Sequence, residues 1–221
     1  MCLADNLARI QERLAGAADR AGRLAADVAL VAVTKGCGVE TVRGLWELGL
    51  RDFGENRVQE AVAKLGAAPA ECRWHLLGTL QENKINKVLP WVHLIQSVDS
   101  LELGRALAQR ADRQRRRLPV LLEVRTSAES TKHGFVPEAV LEAYAALASL
   151  PALDVQGLMT MAPFTSDMQA VRRSFRVARR LFEALQAMAP RWLSMGMSDD
   201  LEIAVEEGST MVRVGRALVG P

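Results

Sequence analysis

Residues 28–36 read VALVAVTKG, a nearly unbroken apolar and β-branched run that ends on Thr34, Lys35 and Gly36. Such a short, continuously apolar segment fits a strand covered on both faces, as parallel strands between crossover helices are. Before it, Leu7, Ile10, Leu14 and Ala17 recur on one helical face; after it, Val42 and Leu45 mark another helix ahead of Gly49. A second strand candidate follows at 51–54, and the alternation continues with 74–78, 94–98, 120–126, 155–161, 192–196 and 211–214. Helical patterns fill the gaps. Leu101, Gly104, Leu107 and Ala111 mark one, Val140, Tyr144 and Leu147 another, and a long one runs from Met168 through Val171, Phe175, Leu185 and Met188 to Pro190. Eight strands and eight helices in helix-first order, with no helix expected after strand eight, predict an α/β fold. The expected architecture is a closed (β/α)8 TIM barrel forming a single domain over residues 1–221. A doubly wound open sheet is the competing architecture, but it calls for a glycine-rich dinucleotide turn after an early strand, and the chain has none.

Composition narrows the classes of function. The 221 residues are 49% hydrophobic and 24% charged, enough for one sizeable core. A net charge of +2 exerts no strong pull on nucleic acid or membrane. Arginine clusters at 110–117 and 172–180 fall within helical patterns, where they read as solvated faces. Cys2, Cys37 and Cys72 are odd in number and lack metal-ligand spacing, which argues against a disulfide framework and a zinc site. Asp5, Asn6 and Arg9 make the N-terminal stretch polar at once, and no apolar run approaches the ~20 residues that cross a bilayer. A soluble cytoplasmic protein is expected, with neither nucleic acid nor membrane as partner.

In a parallel barrel the site lies at the C-terminal ends of the strands. Alternation from Val31 and Val33 would point Lys35 into the barrel, where desolvation turns a lysine into a nucleophilic amine able to form a Schiff base. The plainer alternative is a lysine snorkelling out of a strand end. Ser198 follows Gly196 and Met197 and opens a helix through Leu201, Ala204 and Val205, a place for an anion or simply an N-cap. Asp199 and Asp200 would have to face away from an anion there. Gly215 and Arg216 end strand eight in a turn whose amides can form a nest. Arg213 alternates inward with Met211, leaving Val212 and Val214 toward the helices; its partner is either a heteroaromatic acceptor or a carboxylate such as Glu123 or Glu55. His75 and His93 read as structural, and the connection 127–136, which carries His133, reads as a mobile loop at the barrel mouth.

On these residues the chain resembles the pyridoxal phosphate homeostasis protein family, small barrels related to the N-terminal domain of alanine racemase. The motifs run in order along nearly the whole sequence: AVTK ending at Lys35, FGENRVQE at 53–60, WHLLGTLQENK at 74–84 and STKHGF at 130–135. GLMTMAP follows at 157–163, LSMGMSDD at 193–200 and GSTMVRVGRALVG at 208–220. The resemblance implies a fold-type-III barrel that binds pyridoxal 5'-phosphate through a Schiff base on Lys35. Ser198 and the amides of Gly215 and Arg216 would hold the phosphate, Arg213 would face the pyridine nitrogen, and Asn56 would sit near the ring. It implies a cofactor carrier in intracellular homeostasis, with pyridoxal-phosphate-dependent apo-enzymes as recipients and no established turnover. Where this chain has Arg216, many relatives carry a serine or threonine, which leaves the role of that side chain open and the amide intact. The competing function is a compact racemase or lyase, which needs an acid/base on each face of the substrate carbon. In two-domain racemases the second is a tyrosine from a separate domain, whereas here the only tyrosine, Tyr144, fits a helix core position. A monomer is the expected state.

Overall fold

Apolar spacing in the N-terminal region becomes helix α1 (Leu3–Arg20), which buries Leu7, Ile10, Leu14 and Ala17 along one face. In the computed structural model, which describes residues 2–127 and 133–220, strands and helices then alternate. The order is β1 (Ala29–Val33), α2 (Val39–Glu47), β2 (Asp52–Glu55), α3 (Val58–Leu65), β3 (Arg73–Leu76), α4 (Ile85–Val88), β4 (Val92–Val98) and α5 (Leu101–Arg113). It continues with β5 (Leu118–Val124), α6 (Val140–Ala148), β6 (Leu153–Thr160), α7 (Met168–Ala184), β7 (Trp192–Ser194), α8 (Leu201–Glu206), β8 (Met211–Val214) and α9 (Arg216–Val219). All strand pairs are parallel and follow sequence order, and β1 closes on β8 with Ala29 opposite Met211 and Val31 opposite Arg213.

Alternation along the strands sorts the side chains into two shells. Val31, Leu94, Leu121, Met159 and Met211 fill the barrel interior. Ala32, Val212 and Val214 face outward under α1, while Ile95, Val120, Leu122 and Leu158 pack beneath α5, α6 and α7. Polar groups share the interior with the apolar ones: His75, Gln96, Ser194, Glu123 and Arg213 are all buried. Tyr144 belongs to the outer shell, where its hydroxyl donates to the Val155 carbonyl (2.7 Å) and burial, with Asp154 nearby, pushes the phenol up to about 12.

One expectation fails at the closing seam. A helix does follow β8, but at four residues α9 is too short to show a periodicity. Helix α1 lies against both α8 and α9 and covers the junction of β8 with β1. Asn6 Nδ2 donates to the Leu218 carbonyl (3.0 Å), and Arg13 pairs with Glu202 (2.6 Å). Among the described residues no helix is long and apolar enough to cross a membrane. Of the connection at 127–136 expected to be mobile, residues 128–132 lie outside the described residues, and with them the first three positions of the STKHGF motif.

Candidate functional site

The lysine turn is built from below by α3. Strand β1 stops at Val33, and the Thr34 carbonyl then accepts the Cys37 N–H (3.0 Å), closing a turn whose central residues are Lys35 and Gly36. Gly36 has φ +74°, the left-handed geometry that the third position of such a turn requires and that glycine adopts without strain. Thr34 is fully buried and held from both sides. Its hydroxyl donates to Glu55 Oε1 (2.6 Å), and Lys64 Nζ donates both to its carbonyl (2.7 Å) and to Glu55 Oε1 (2.6 Å). Glu60 Oε2 accepts from the Gly36 amide (3.1 Å). Lys35 itself is exposed: the ladder ends two residues earlier, so the turn and not strand alternation carries the amine to the mouth.

A second cluster joins the β7–α8 connection to α9. Ser198 Oγ accepts the Ala217 N–H (3.2 Å), tying that connection to the first turn after β8. Ser198 does not cap a helix, as its sequence context suggested. Helix α8 begins at Leu201, and Asp200 occupies the cap position with its carboxylate turned back to accept the Met197 N–H (2.6 Å). Both aspartates are nonetheless among the residues that line the same cavity as Ser198. Asp199 pairs with the Arg216 guanidinium, while burial raises the Asp200 carboxyl above the usual carboxylate range against the pull of the Met197 amide.

Arg213 comes up through the barrel axis and is 5% exposed. Its two hydrogen-bond partners are neutral: Nη1 donates to Ser194 Oγ (2.6 Å) and Nη2 to the Thr160 carbonyl (2.9 Å). Glu55, one candidate counter-ion, is engaged by Lys64 instead. Glu123, the other, acts on Arg213 through space, as Asp200 does. Burial lowers the guanidinium to about 10, with both carboxyls opposing, so it stays charged at neutral pH.

These parts surround one cavity of about 350 Å³ at the C-terminal ends of the strands, within the roughly 300–1,000 Å³ usual for small-molecule sites. Lys35, Asn56, Ser198, Arg213, Gly215 and Arg216 all line it. Asn56 is exposed just past β2, and Gly78 lets the chain approach it: a Cβ there would lie 2.2 Å from the Asn56 carbonyl oxygen. Sequence reasoning set Met161 at a strand end by the site but missed the rest of the apolar wall. Met161, Phe164 and Met168 lie on the β6–α7 connection and the start of α7, with Phe164 95% exposed, and Leu77 and Val33 complete it. The GLMTMAP stretch was the available signal for that wall. His133 pairs with Asp99 (3.6 Å), and Cys37 Sγ lies 3.9 Å from the Lys35 carbonyl.

With this geometry in view, the likenesses to known proteins are informative. Residues 5–221 match the family described as alanine racemase, N-terminal domain. A pyridoxal phosphate homeostasis protein of Aquifex aeolicus is 39% identical over 220 residues, covering 98% of this chain and 96% of that protein. One from Pseudomonas aeruginosa is 38% identical over 219 residues, at 99% and 95% coverage. PipY of Synechococcus elongatus, solved with pyridoxal phosphate bound, superposes with a TM-score of 0.85 at 35% identity, covering 99% of this chain and all of that one. An alanine racemase of Clostridium difficile, at 15% identity and TM-score 0.77, shares the fold over 97% of this chain and 56% of its own length. Barrel, motif order and near-full-length identity agree: the chain belongs to the pyridoxal phosphate homeostasis protein family, with the fold of the alanine racemase N-terminal domain.

Proposed function

We propose that this chain, as one domain over residues 1–221, holds pyridoxal 5'-phosphate as a Schiff base on Lys35 and serves as a cytoplasmic, monomeric carrier that passes it to apo-enzymes. The observation that carries this reading is the donor set of a single cavity: an exposed amine, a serine–amide junction and a buried guanidinium with neutral partners. Each suits one part of the ligand. The amine meets an aldehyde, the junction at Ser198 and the amides of Gly215 and Arg216 meet a phosphate dianion, and Arg213 meets the pyridine nitrogen. Of the two aspartates on the wall, Asp199 pairs with Arg216 at the exposed rim and Asp200 turns its carboxylate back to the Met197 amide. Asn56 stands beside the ring.

Bound pyridoxal phosphate supplies an electron sink for amino-acid chemistry, and a racemase would use it with a second acid/base. Tyr144 does not offer one, because its hydroxyl is spent on the Val155 carbonyl among the outer-shell core. A donor-only guanidinium at the ring nitrogen also discourages ring protonation and weakens the sink. Both points favour holding over turnover. Borohydride reduction of loaded protein should fix a phosphopyridoxyl mass on the peptide of Lys35, and Lys35→Ala should stay folded without it. Label on Lys84 or Lys87 with Lys35 unmodified would overturn the assignment. Alanine α-proton exchange in deuterated water at enzyme-like rates of ~1–10³ per second, dependent on Lys35, would overturn the carrier reading.

A further inference from the structure

Arg213 is the first member of a continuous chain of hydrogen bonds through the barrel core. Its Nη1 donates to Ser194 Oγ (2.6 Å), and Ser194 Oγ donates to Gln96 Oε1 (2.7 Å). Gln96 Nε2 meets His75 Nδ1 (2.9 Å), and His75 Nε2 meets Asp52 Oδ1 (3.0 Å). Arg73 grips Asp52 with two bonds, Nε to Oδ1 (2.8 Å) and Nη2 to Oδ2 (2.6 Å), at the opposite end of the barrel from the cavity. Ser194 and Gln96 are wholly buried and His75 is 1% exposed, so no water from outside substitutes for the links among these three.

The chemistry of the groups sets the direction of every bond. A guanidinium only donates, so Ser194 must accept from Arg213 and pass its own proton on. The Gln96 carbonyl oxygen takes that proton. Its amide nitrogen then faces two acceptors, His75 Nδ1 and the Met211 thioether (3.2 Å), which independently requires the same orientation. With Nδ1 accepting, the proton of neutral His75 sits on Nε2 and is donated to Asp52, a carboxylate held below its usual range by Arg73 and His75. Donation thus runs one way, from the cavity to the far rim. A buried network of this kind favours one arrangement, because turning the Gln96 amide over would set its oxygen against two acceptors, His75 Nδ1 and the Met211 thioether.

We propose that Ser194, Gln96 and His75 are positioning residues that hold Arg213 in one orientation and thereby keep the nitrogen of the bound ring an unprotonated acceptor. The proposal rests on the reading that Arg213 faces that nitrogen. Two of the five guanidinium N–H groups are taken by Ser194 and Thr160, which fixes the plane in which the others reach the cavity. Without the Gln96 carbonyl the Ser194 proton has no assigned acceptor, the hydroxyl rotates, and the short bond to Nη1 loses its geometry.

Ser194→Ala and Gln96→Leu break the chain next to Arg213, whereas Ser194→Thr keeps the hydroxyl. All three would be loaded with pyridoxal phosphate and compared with the natural protein by absorption spectra across pH, by retention on dialysis and by thermal melting. The expected result is a shifted spectrum and pH profile in Ser194→Ala and Gln96→Leu, with retention weakened roughly tenfold, the scale of one charged hydrogen bond. Ser194→Thr should restore both. Should Gln96→Leu fail to fold, Ser194→Ala, a smaller change, decides alone. A lower melting point with unchanged spectrum and retention would make the chain a structural network only and overturn the proposal. Failure of the underlying reading looks different: the natural protein would not retain pyridoxal phosphate, or Arg213→Gln would leave the spectrum unaltered.

Discussion

Replacing Glu123 with glutamine should flatten a pH dependence of stability that the native carboxyl creates. Glu123 points inward from β5, two residues beyond Leu121, and is 7% exposed. Burial, reinforced by Asp99, pushes its carboxyl up from an ordinary 4.5 to about 7, against the opposing pull of Arg213 and His133. Between those two values the folded protein holds a proton that the unfolded chain has released, so stability falls as pH rises. The penalty is absent below about 4.5, grows through the interval and is complete above about 7. At about 1.4 kcal/mol per pH unit of separation, the full loss is about 3 kcal/mol. Glutamine fills the same volume and does not titrate. Relative to the natural protein, Glu123→Gln should therefore gain about 2–3 kcal/mol between pH 5 and pH 8, or roughly 5–10 °C in melting temperature for a chain of this size. Paired melts or urea titrations at each pH cancel the contributions of all other groups. A stability difference that stays constant across that range would refute the assignment of a raised carboxyl to Glu123.

Lys64→Met should cost about 3–5 kcal/mol in urea denaturation, since it leaves the fully buried Glu55 carboxylate without its cation; the double variant with Glu55→Gln should recover most of it. A single variant as stable as the natural protein would show that the pair is not closed in solution. Unphosphorylated pyridoxal should be retained far more weakly than its phosphate, and Ser198→Ala should narrow that gap by weakening the phosphate alone; equal retention of the two by the natural protein would remove the phosphate anchor. Arg216→Thr should change retention by less than about twofold, because its guanidinium is engaged by Asp199 and the amide remains. Salt-sensitive loss of the ligand in that variant would instead make the side chain a phosphate contact.

The barrel was legible because eight short apolar runs each carry their own signal, and alternation alone put Met211 and Arg213 inside and Val212 and Val214 outside. The errors cluster where backbone direction, not residue type, decides. Extending alternation through Thr34 to Lys35 overran the end of the ladder, although Gly36 was a turn signal in plain sight. Ser198, Asp199 and Asp200 are three good cap residues in a row, and nothing local tells which one meets the helix; it is Asp200. Glycine followed by arginine marked the turn after β8, but Ala217, Leu218 and Val219 gave no period from which to infer α9. The links among Arg213, Ser194, Gln96 and His75 join β8, β7, β4 and β3, and no spacing along the chain announces a contact made across a barrel.

Helix α1 and the β8–β1 seam bear on how the molecule comes into being. Strand β1 emerges from the ribosome early, yet one of its two ladder partners is residues 211–214, and the apolar face of α1 waits for α8 and α9. The Asn6–Leu218 bond spans 212 positions. Contacts this distant in sequence impose their loop-closure cost before they return any stability, which slows folding and leaves an edge strand and an oily helix face uncovered while synthesis proceeds. Nascent chains arrested before β8 should therefore be the ones that chaperones hold, and proteolysis of such chains should attack α1 and β1 that are resistant in the finished barrel.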